Sequence, residues 1–416
     1  MPKKQNQQLP PMHLIGLCPD LQWLSPAATT LINEADILAG GNRLLELFSA
    51  FPGKKYPLST PLKPWLKELK ALQYEGKKIT ILSSGDPNYF GLAQQLIEVI
   101  GSESLYIHPS TTLVQQAFAR LKTSWKQTEV VSLHGREAYT NFWSALFRTS
   151  HYSGSGYLAI YTDPKNTPAV IAKHLLERGQ NNWRMIVFED MDTQDERHTT
   201  WTLMAAKIRN FSPLNIVILE CLKRPASISL GMPEEAFLHE NGLITKREIR
   251  VVALGLLELQ PYYTLWDLGA GSGSLSIEAA ALLPHGSIWA VEKSPLRSEQ
   301  IVANRTFFGA TQVEIIKDEA LAAIVCLPSP DRIFIGGGGA NLGAIIKAAS
   351  YKLHPKGKIV AGVITLDSLR IATMAMRKAG LELSVTQIQG ARSEPLGDSL
   401  YLRPFNQVWL IRGIAL

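Results

Sequence analysis

The chain has 416 residues, 46% hydrophobic and 19% charged, with a net charge of +6. This is an ordinary soluble globular balance, enough for two or three domains at roughly 150 residues each. Its isolated, odd-numbered Cys18, Cys221 and Cys326 exclude a disulfide framework and a cysteine metal site and point to a reducing compartment. The polar start, Met1-Pro2-Lys3-Lys4, lacks the apolar core of a signal peptide, and no apolar run approaches the ~18 residues that span a bilayer. Cytoplasm is therefore the expected location, with no membrane partner. The mild basicity suits nucleic acid, anionic lipid or a polyacidic small molecule. No Lys/Arg cluster or RNA-binding aromatic motif selects nucleic acid.

In chain order, residues 12–222 alternate strands and helices, with strands expected near 13–17, 79–82, 105–108, 130–133, 158–161, 184–188 and 214–219. Ser83-Ser84-Gly85-Asp86-Pro87-Asn88-Tyr89-Phe90-Gly91 leaves a strand and turns. The plain reading makes Asp86 a helix N-cap and Pro87 the first helical residue. Pro109-Ser110-Thr111-Thr112 repeats the pattern after the next strand. Trp125-Lys126-Gln127 reads as a joint between two lobes. Ser132-Leu133-His134-Gly135-Arg136 ends in two groups able to bind carboxylates, and Asn215, in an apolar strand, must find hydrogen bonds if buried. Lys223-Arg224-Pro225-Ala226-Ser227 and the Pro/Gly/Glu-rich stretch after it place a boundary at 225, giving domains 1–225 and 226–416.

The second part alternates again, with strands at 265–267, 288–292, 313–318, 332–335, 358–361, 383–387 and 408–411, which predicts an α/β domain with a mostly parallel, Rossmann-like sheet. Its first strand ends Trp266-Asp267-Leu268-Gly269-Ala270-Gly271-Ser272-Gly273-Ser274, and a helix is expected over 275–283. Alternate glycines let a ligand press against the main chain. The sixth position is Ser274 counted from Gly269 and Ser276 counted from Gly271, so the spacing departs from the dinucleotide fingerprint G-x-G-x-x-G. It resembles instead the D-x-G-x-G-x-G loop of S-adenosylmethionine (SAM) methyltransferases. Glu292 ends the second strand twenty-one positions after Gly271, near the offset of roughly 20 residues at which a carboxylate accepts ribose hydroxyls. The plainer alternative, a glycine turn that holds nothing, is disfavoured because turn, acid and second strand agree. Asp318 and Gly336 also fall at carboxyl ends of strands, where such sheets bind ligands.

Gly40-Gly41-Asn42-Arg43-Leu44, Ser84-Gly85-Asp86-Pro87 with Tyr89-Phe90-Gly91, Ser132-Leu133-His134-Gly135-Arg136, Asp195-Glu196-Arg197 and Leu214-Asn215-Ile216-Val217 together resemble the tetrapyrrole methylase superfamily, in its precorrin-6Y C-5 branch. Pro233-Glu234-Glu235-Ala236-Phe237, Thr245-Lys246-Arg247-Glu248-Ile249-Arg250 and the glycine loop resemble the C-15 methylase/decarboxylase of the same cobalamin pathway. The resemblance implies a two-lobed tetrapyrrole-methylase domain followed by a Rossmann-like methyltransferase domain, each with its own SAM. It places the first SAM, folded, against Gly85, Asp86, Pro87, Ser110, Thr111 and Thr112. The second lies along Gly269, Ala270, Gly271, Ser272 and Gly273 beyond Asp267, with Glu292 on the ribose, Asp318 near the adenine and Gly336 at the next strand end.

The implied substrate is a precorrin macrocycle, with or without cobalt, methylated at C-5 and C-15 with loss of the ring-C acetate as CO2. Arg and Lys hold carboxylates by paired hydrogen bonds and as a point charge respectively. Lys246, Arg247, Arg250, Arg392, His134 and Arg136 are the substrate candidates, with Lys246 and Arg250 on one helix face. No metal site and no catalytic acid is identified. Relatives of both halves self-associate, so a homo-oligomer is expected by analogy. Two departures stand out. Cys18 occupies a glycine position of the family's first loop, which predicts a reshaped loop. Asp190-Met191-Asp192-Thr193-Gln194 replaces the glycines before Asp195-Glu196-Arg197, which predicts a poorer approach for ligand there. The rival readings are a silent N-terminal half and a SAM-dependent RNA methyltransferase. Base-flipping amino-methylases carry Asp/Asn-Pro-Pro-Tyr/Phe after the fourth strand, where this chain has Gly336-Gly337-Gly338-Gly339.

Overall fold

A computed structural model describes residues 9–18, 21–133, 139–240 and 242–415. The first lobe is a five-stranded, wholly parallel sheet of β1 (Met12–Leu17), β2 (Ile37–Gly40), β3 (Lys54–Pro57), β4 (Ile79–Ser84) and β5 (Leu105–His108), ordered β3-β2-β4-β1-β5. β1, β2 and β4 are almost continuously buried, as strands covered on both faces must be. Trp125 lies between this lobe and the next. The second lobe is a mixed sheet of β6 (Glu129–Ser132), β7 (Tyr157–Tyr161), β8 (Trp183–Glu189), β9 (Arg197–Thr202) and β10 (Asn215–Cys221), ordered β6-β7-β10-β8-β9.

The third sheet has seven strands: β11 (Thr264–Leu268), β12 (Ser287–Val291), β13 (Val313–Ile316), β14 (Arg332–Ile335), β15 (Lys358–Val363), β16 (Glu382–Ile388) and, after the separate hairpin β17 (Ala391–Leu396) and β18 (Ser399–Pro404), β19 (Val408–Ile414). The order β13-β12-β11-β14-β15-β19-β16 puts β12 on one side of β11 and β14 on the other, and only β19 runs against its neighbours. The crevice beyond the carboxyl ends of β11, β12 and β14 is the switch point of this topology. No helix among the described residues is long and apolar enough to cross a membrane, and none of their His, Cys, Asp and Glu side chains gather in threes as a metal site.

Five strands escaped the sequence reading. β2 is four residues long and β3 reads Lys-Lys-Tyr-Pro, the charged, proline-ended composition of an edge strand. β9 is an exposed, threonine-rich edge, and the β17–β18 hairpin stands outside the main sheet.

The two halves share packing. Phe147, from the helix Thr140–His151, is fully buried in the core that contains Leu265, Ile288 and Phe308 of the third sheet's unit. The Thr311 hydroxyl donates to the Trp143 carbonyl at 2.6 Å, and Arg178 pairs with Glu314 at 2.6 Å beneath the Trp143 ring. Separating the chain near residue 225 would uncover this surface, so the sites are best measured on the intact protein.

Candidate active site

β11 delivers the chain to the glycine bend. The N–H groups of Gly269 and Ala270 both donate to the Val291 carbonyl, at 2.9 and 3.0 Å, which folds the bend over the end of β12. Gly271 and Gly273 have φ of +60° and +79°, a region that disfavours any side chain. A Cβ on Gly273 would stand 2.9 Å from Ile301, so this glycine is required for packing. A Cβ on Gly271 would meet nothing within 4 Å and would project into open space. The helix Ser274–Leu282 follows, its first seven residues buried, its small serines and alanines letting it lie close behind the sheet.

Glu292 joins bend and neighbour. Its carboxylate is almost fully buried and accepts the Gly271 N–H and the Ser294 N–H, each at 2.9 Å, leaving one lone pair on each oxygen. Asp267 lies beneath, fully buried, and accepts the Ser276 hydroxyl at 2.6 Å. Burial pushes its carboxyl up to about 7, Glu292 adds to the rise, and the Ser276 hydroxyl opposes it. The fold thus favours the protonated acid, and its contribution to stability is lost as pH rises from the unfolded value near 4 through about 7. Asp267→Asn is expected to remove that loss, gaining up to ~4 kcal/mol over wild type at pH 8 and little at pH 4. Urea unfolding of both proteins across this range checks it. A gap independent of pH would contradict it.

Two cavities flank the bend. One, of about 470 Å³, is lined by Glu292, Asp318, Glu319 and Gly336 to Asn341. The other, of about 460 Å³, is lined by Lys246, Ile249, Phe334, Phe405 and the opposite side of the bend. They share Gly269, Gly336 and Arg297. Asp318 is exposed at the end of β13, one oxygen accepting the Glu319 N–H at 2.7 Å. Open space at Gly271, a carboxylate with spare lone pairs and a second acid one strand away fit the residues to an extended nucleoside with a cationic tail.

The substrate candidates separate. Lys246 caps the helix Arg247–Leu257 and faces the second cavity. Arg247 is exposed beside Glu248 and lines neither cavity. Arg250 corrects the expectation: its side chain is wholly buried, bonded to Glu278 at 2.7 and 3.0 Å and to the Thr245 and Met232 carbonyls. Arg392 is committed likewise, bidentate on Glu234 at 2.7 and 3.0 Å and on Glu248 at 2.5 and 2.9 Å. Those bonds hold Glu248 at about 2. They hold Glu234 at about 2 as well, against the upward push of its burial. Arg297 was missed from sequence. It follows Ser294-Pro295 in the first turn of the helix Pro295–Phe307, its Nε buried without a hydrogen-bond partner and 3.6 Å from Glu240.

In the N-terminal half, Gly85 and Asp86 line an inter-lobe cavity of about 610 Å³ with Tyr89, Phe90, Tyr161 and Thr162. A neighbouring cavity of about 230 Å³ reaches Arg43, Met191 and Asn215. Pro87 does not begin a helix. Asp86 accepts the Asn88 N–H at 2.8 Å in a local turn, and helix starts only at Ala93. Pro87 and Ser110 instead pack on Gly16, where a Cβ would stand 2.8 and 2.9 Å from them. Cys18 keeps an ordinary negative φ and sets its thiol 2.7 Å from the Thr111 hydroxyl and 3.5 Å from that of Ser110. Thr112 caps the helix Leu113–Leu121 through a capping box. Ser110, Thr111 and Thr112 are therefore engaged within the protein and line neither cavity.

The loop that lost its glycines keeps a glycine-like path, because Asp190 and Asp192 take φ of +49° and +61°, which aspartate tolerates better than most residues. Asn215 finds the bonds it needs, donating to the Ser212 carbonyl at 2.6 Å and accepting from Thr162 at 2.8 Å. His134 and Arg136 lie outside the described residues.

Two family models match the chain, Tetrapyrrole (Corrin/Porphyrin) Methylases over residues 11–207 and Precorrin methyltransferase domain over 235–412. A precorrin-6Y C(5,15)-methyltransferase [decarboxylating] of a Sinorhizobium species is 32% identical over 401 residues, 95% of this chain and 94% of the relative. Two shorter relatives from Salmonella typhimurium each match about half of this chain. The cobalt-precorrin-6B C(15)-methyltransferase (decarboxylating) is 36% identical, over 43% of this chain and 94% of its own length. The cobalt-precorrin-7 C(5)-methyltransferase is 29% identical, over 47% and 92%.

Proposed function

The chain belongs to the precorrin-6Y C(5,15)-methyltransferase family and is a methyltransferase, and from that premise we propose a division of labour between its halves. Residues 1–225 methylate C-5 of a precorrin macrocycle, and residues 226–416 methylate C-15 and release the ring-C acetate as CO2, each half using its own SAM. SAM supplies an electrophilic methyl group, and the ring nitrogens make the meso carbons of the acceptor nucleophilic. The protein's task is alignment, which can contribute ~7–11 kcal/mol. No protein nucleophile is needed.

One observation carries the reading of the second half. The acid-lined cavity and the cavity bearing Lys246 meet at Gly269, Gly336 and Arg297, so donor and acceptor share a boundary made of two glycines and one arginine. Glu292 accepts the ribose hydroxyls through its free lone pairs while its other pairs hold the bend. Lys246 and Arg297 pair with macrocycle carboxylates and fix the ring. In the decarboxylation the C–CO2 bond breaks, its electron pair enters the conjugated ring, and a proton from solvent returns to the carbon.

Mass spectrometry of the product from the intact chain, SAM and a metal-free or cobalt-loaded precursor tests this. Two methyl groups gained and one CO2 lost are expected from the true substrate. One methyl with CO2 lost would overturn the assignment of the N-terminal half, and no CO2 lost that of the C-terminal half.

A further inference from the structure

Phe90 stands at the wall of the inter-lobe cavity in a conformation few bulky residues adopt. Its φ is +57°, where the Cβ of an L-residue crowds its own backbone. The conformation is imposed from both sides. Asp86 accepts the Asn88 N–H through its side chain and the Tyr89 N–H through its carbonyl, at 2.8 and 3.0 Å. Gly91 then passes so close to Pro87 that a Cβ there would stand 2.4 Å from its carbonyl oxygen. The strain does not complete a core, for Phe90 remains 50% exposed. Its ring is instead braced by Tyr89 at 5.0 Å and Tyr161 at 5.5 Å between centroids, and the three line the same cavity beside Gly85 and Asp86. Backbone strain that the surroundings over-determine, presenting a half-bare aromatic to a cavity, marks a functional contact.

We propose that Phe90, backed by Tyr161, is the platform on which the flat conjugated macrocycle lies for methylation at C-5. It is a positioning residue that acts by offset stacking on the ring face, with no part in the bond-making step. This rests on the C-5 reading of the N-terminal half.

The test uses Phe90→Ala, Phe90→Gly and Phe90→Tyr in the full chain. Glycine relieves the left-handed strain, so the Gly variant should melt above the Ala variant. Both should nevertheless raise KM for the tetrapyrrole in the C-5 step roughly tenfold, with SAM affinity kept, whereas Tyr should stay within about threefold of wild type. The C-15 product of the same reaction checks that the chain is folded. A purely structural role predicts the opposite ordering, with Gly restoring KM along with stability, and that result would overturn the proposal. So would an unchanged KM in Phe90→Ala. A wild-type chain that adds no C-5 methyl would remove the C-5 reading and this proposal together, whereas a C-5-active wild type with an unaffected Ala variant removes this proposal alone.

Discussion

Replacing Arg250 by methionine should destabilise the chain by about 3–5 kcal/mol, the usual cost of removing one partner of a buried ion pair. Arg250 and Glu278 are both fully buried. Glu278 also accepts the N–H groups of Gly231 and Met232, each at 3.0 Å, and the guanidinium lies over the Phe237 ring. Losing Arg250 would leave a desolvated carboxylate held only by two backbone donors. It would also orphan the carbonyls of Met232 and Thr245. Adding Glu278→Leu should recover part of the loss, since the uncompensated charge goes but two backbone donors are left unpaired. Denaturant midpoints of the single and double variants check this. A residue that held substrate would raise KM without moving the midpoint, and that outcome would restore the substrate-binding role expected from sequence.

Valine at Gly271 should remove SAM from the C-terminal half, weakening it roughly 100-fold or more, equivalent to about 3 kcal/mol. Two effects add. A β-branched residue at φ +60° is strained and shifts the bend, loosening the N–H bond that ties it to Glu292. The side chain would also project into the cavity bearing Lys246, at the boundary where the cationic end of the donor meets the acceptor. The second SAM site proposed for the N-terminal half, on a different sheet, should keep its affinity. Glu292→Ala should act in the same direction but less strongly, because it removes an acceptor without filling space.

What could be read from the residues and what could not have physical reasons. The order strand, acid, alternate glycines, helix, strand, acid has few structural solutions, so the residue order alone puts Gly269 to Gly273, Glu292, Asp318 and Gly336 at the carboxyl ends of neighbouring strands. Periodicity gives the face of a helix but not its depth. Lys246 and Arg250 do sit one turn apart, yet the partner that buries Arg250 comes from Glu278, on a different helix. Arg392 is a substrate candidate from sequence, and its partners Glu234 and Glu248, 158 and 144 residues distant, give no local sign that it is engaged. Arg297 had a weak signal, the Ser294-Pro295 helix start just past the end of β12, which sets the first turn of that helix at the crevice. The departures in the N-terminal half have a local counterpart in the backbone. Aspartate can follow a left-handed path, so Asp190 and Asp192 carry their loop through positive φ where the resembled family has glycines. The strain at Phe90 is a property of backbone angles, which no residue name carries.

Counting SAM molecules bound per intact chain by calorimetry tests the central claim most directly. Two for the wild type and one for Gly271→Val are predicted, with the surviving site unchanged in affinity. A Gly271→Val chain that still binds as many SAM molecules as the wild type, with equal affinity, would mean that the donor lies elsewhere.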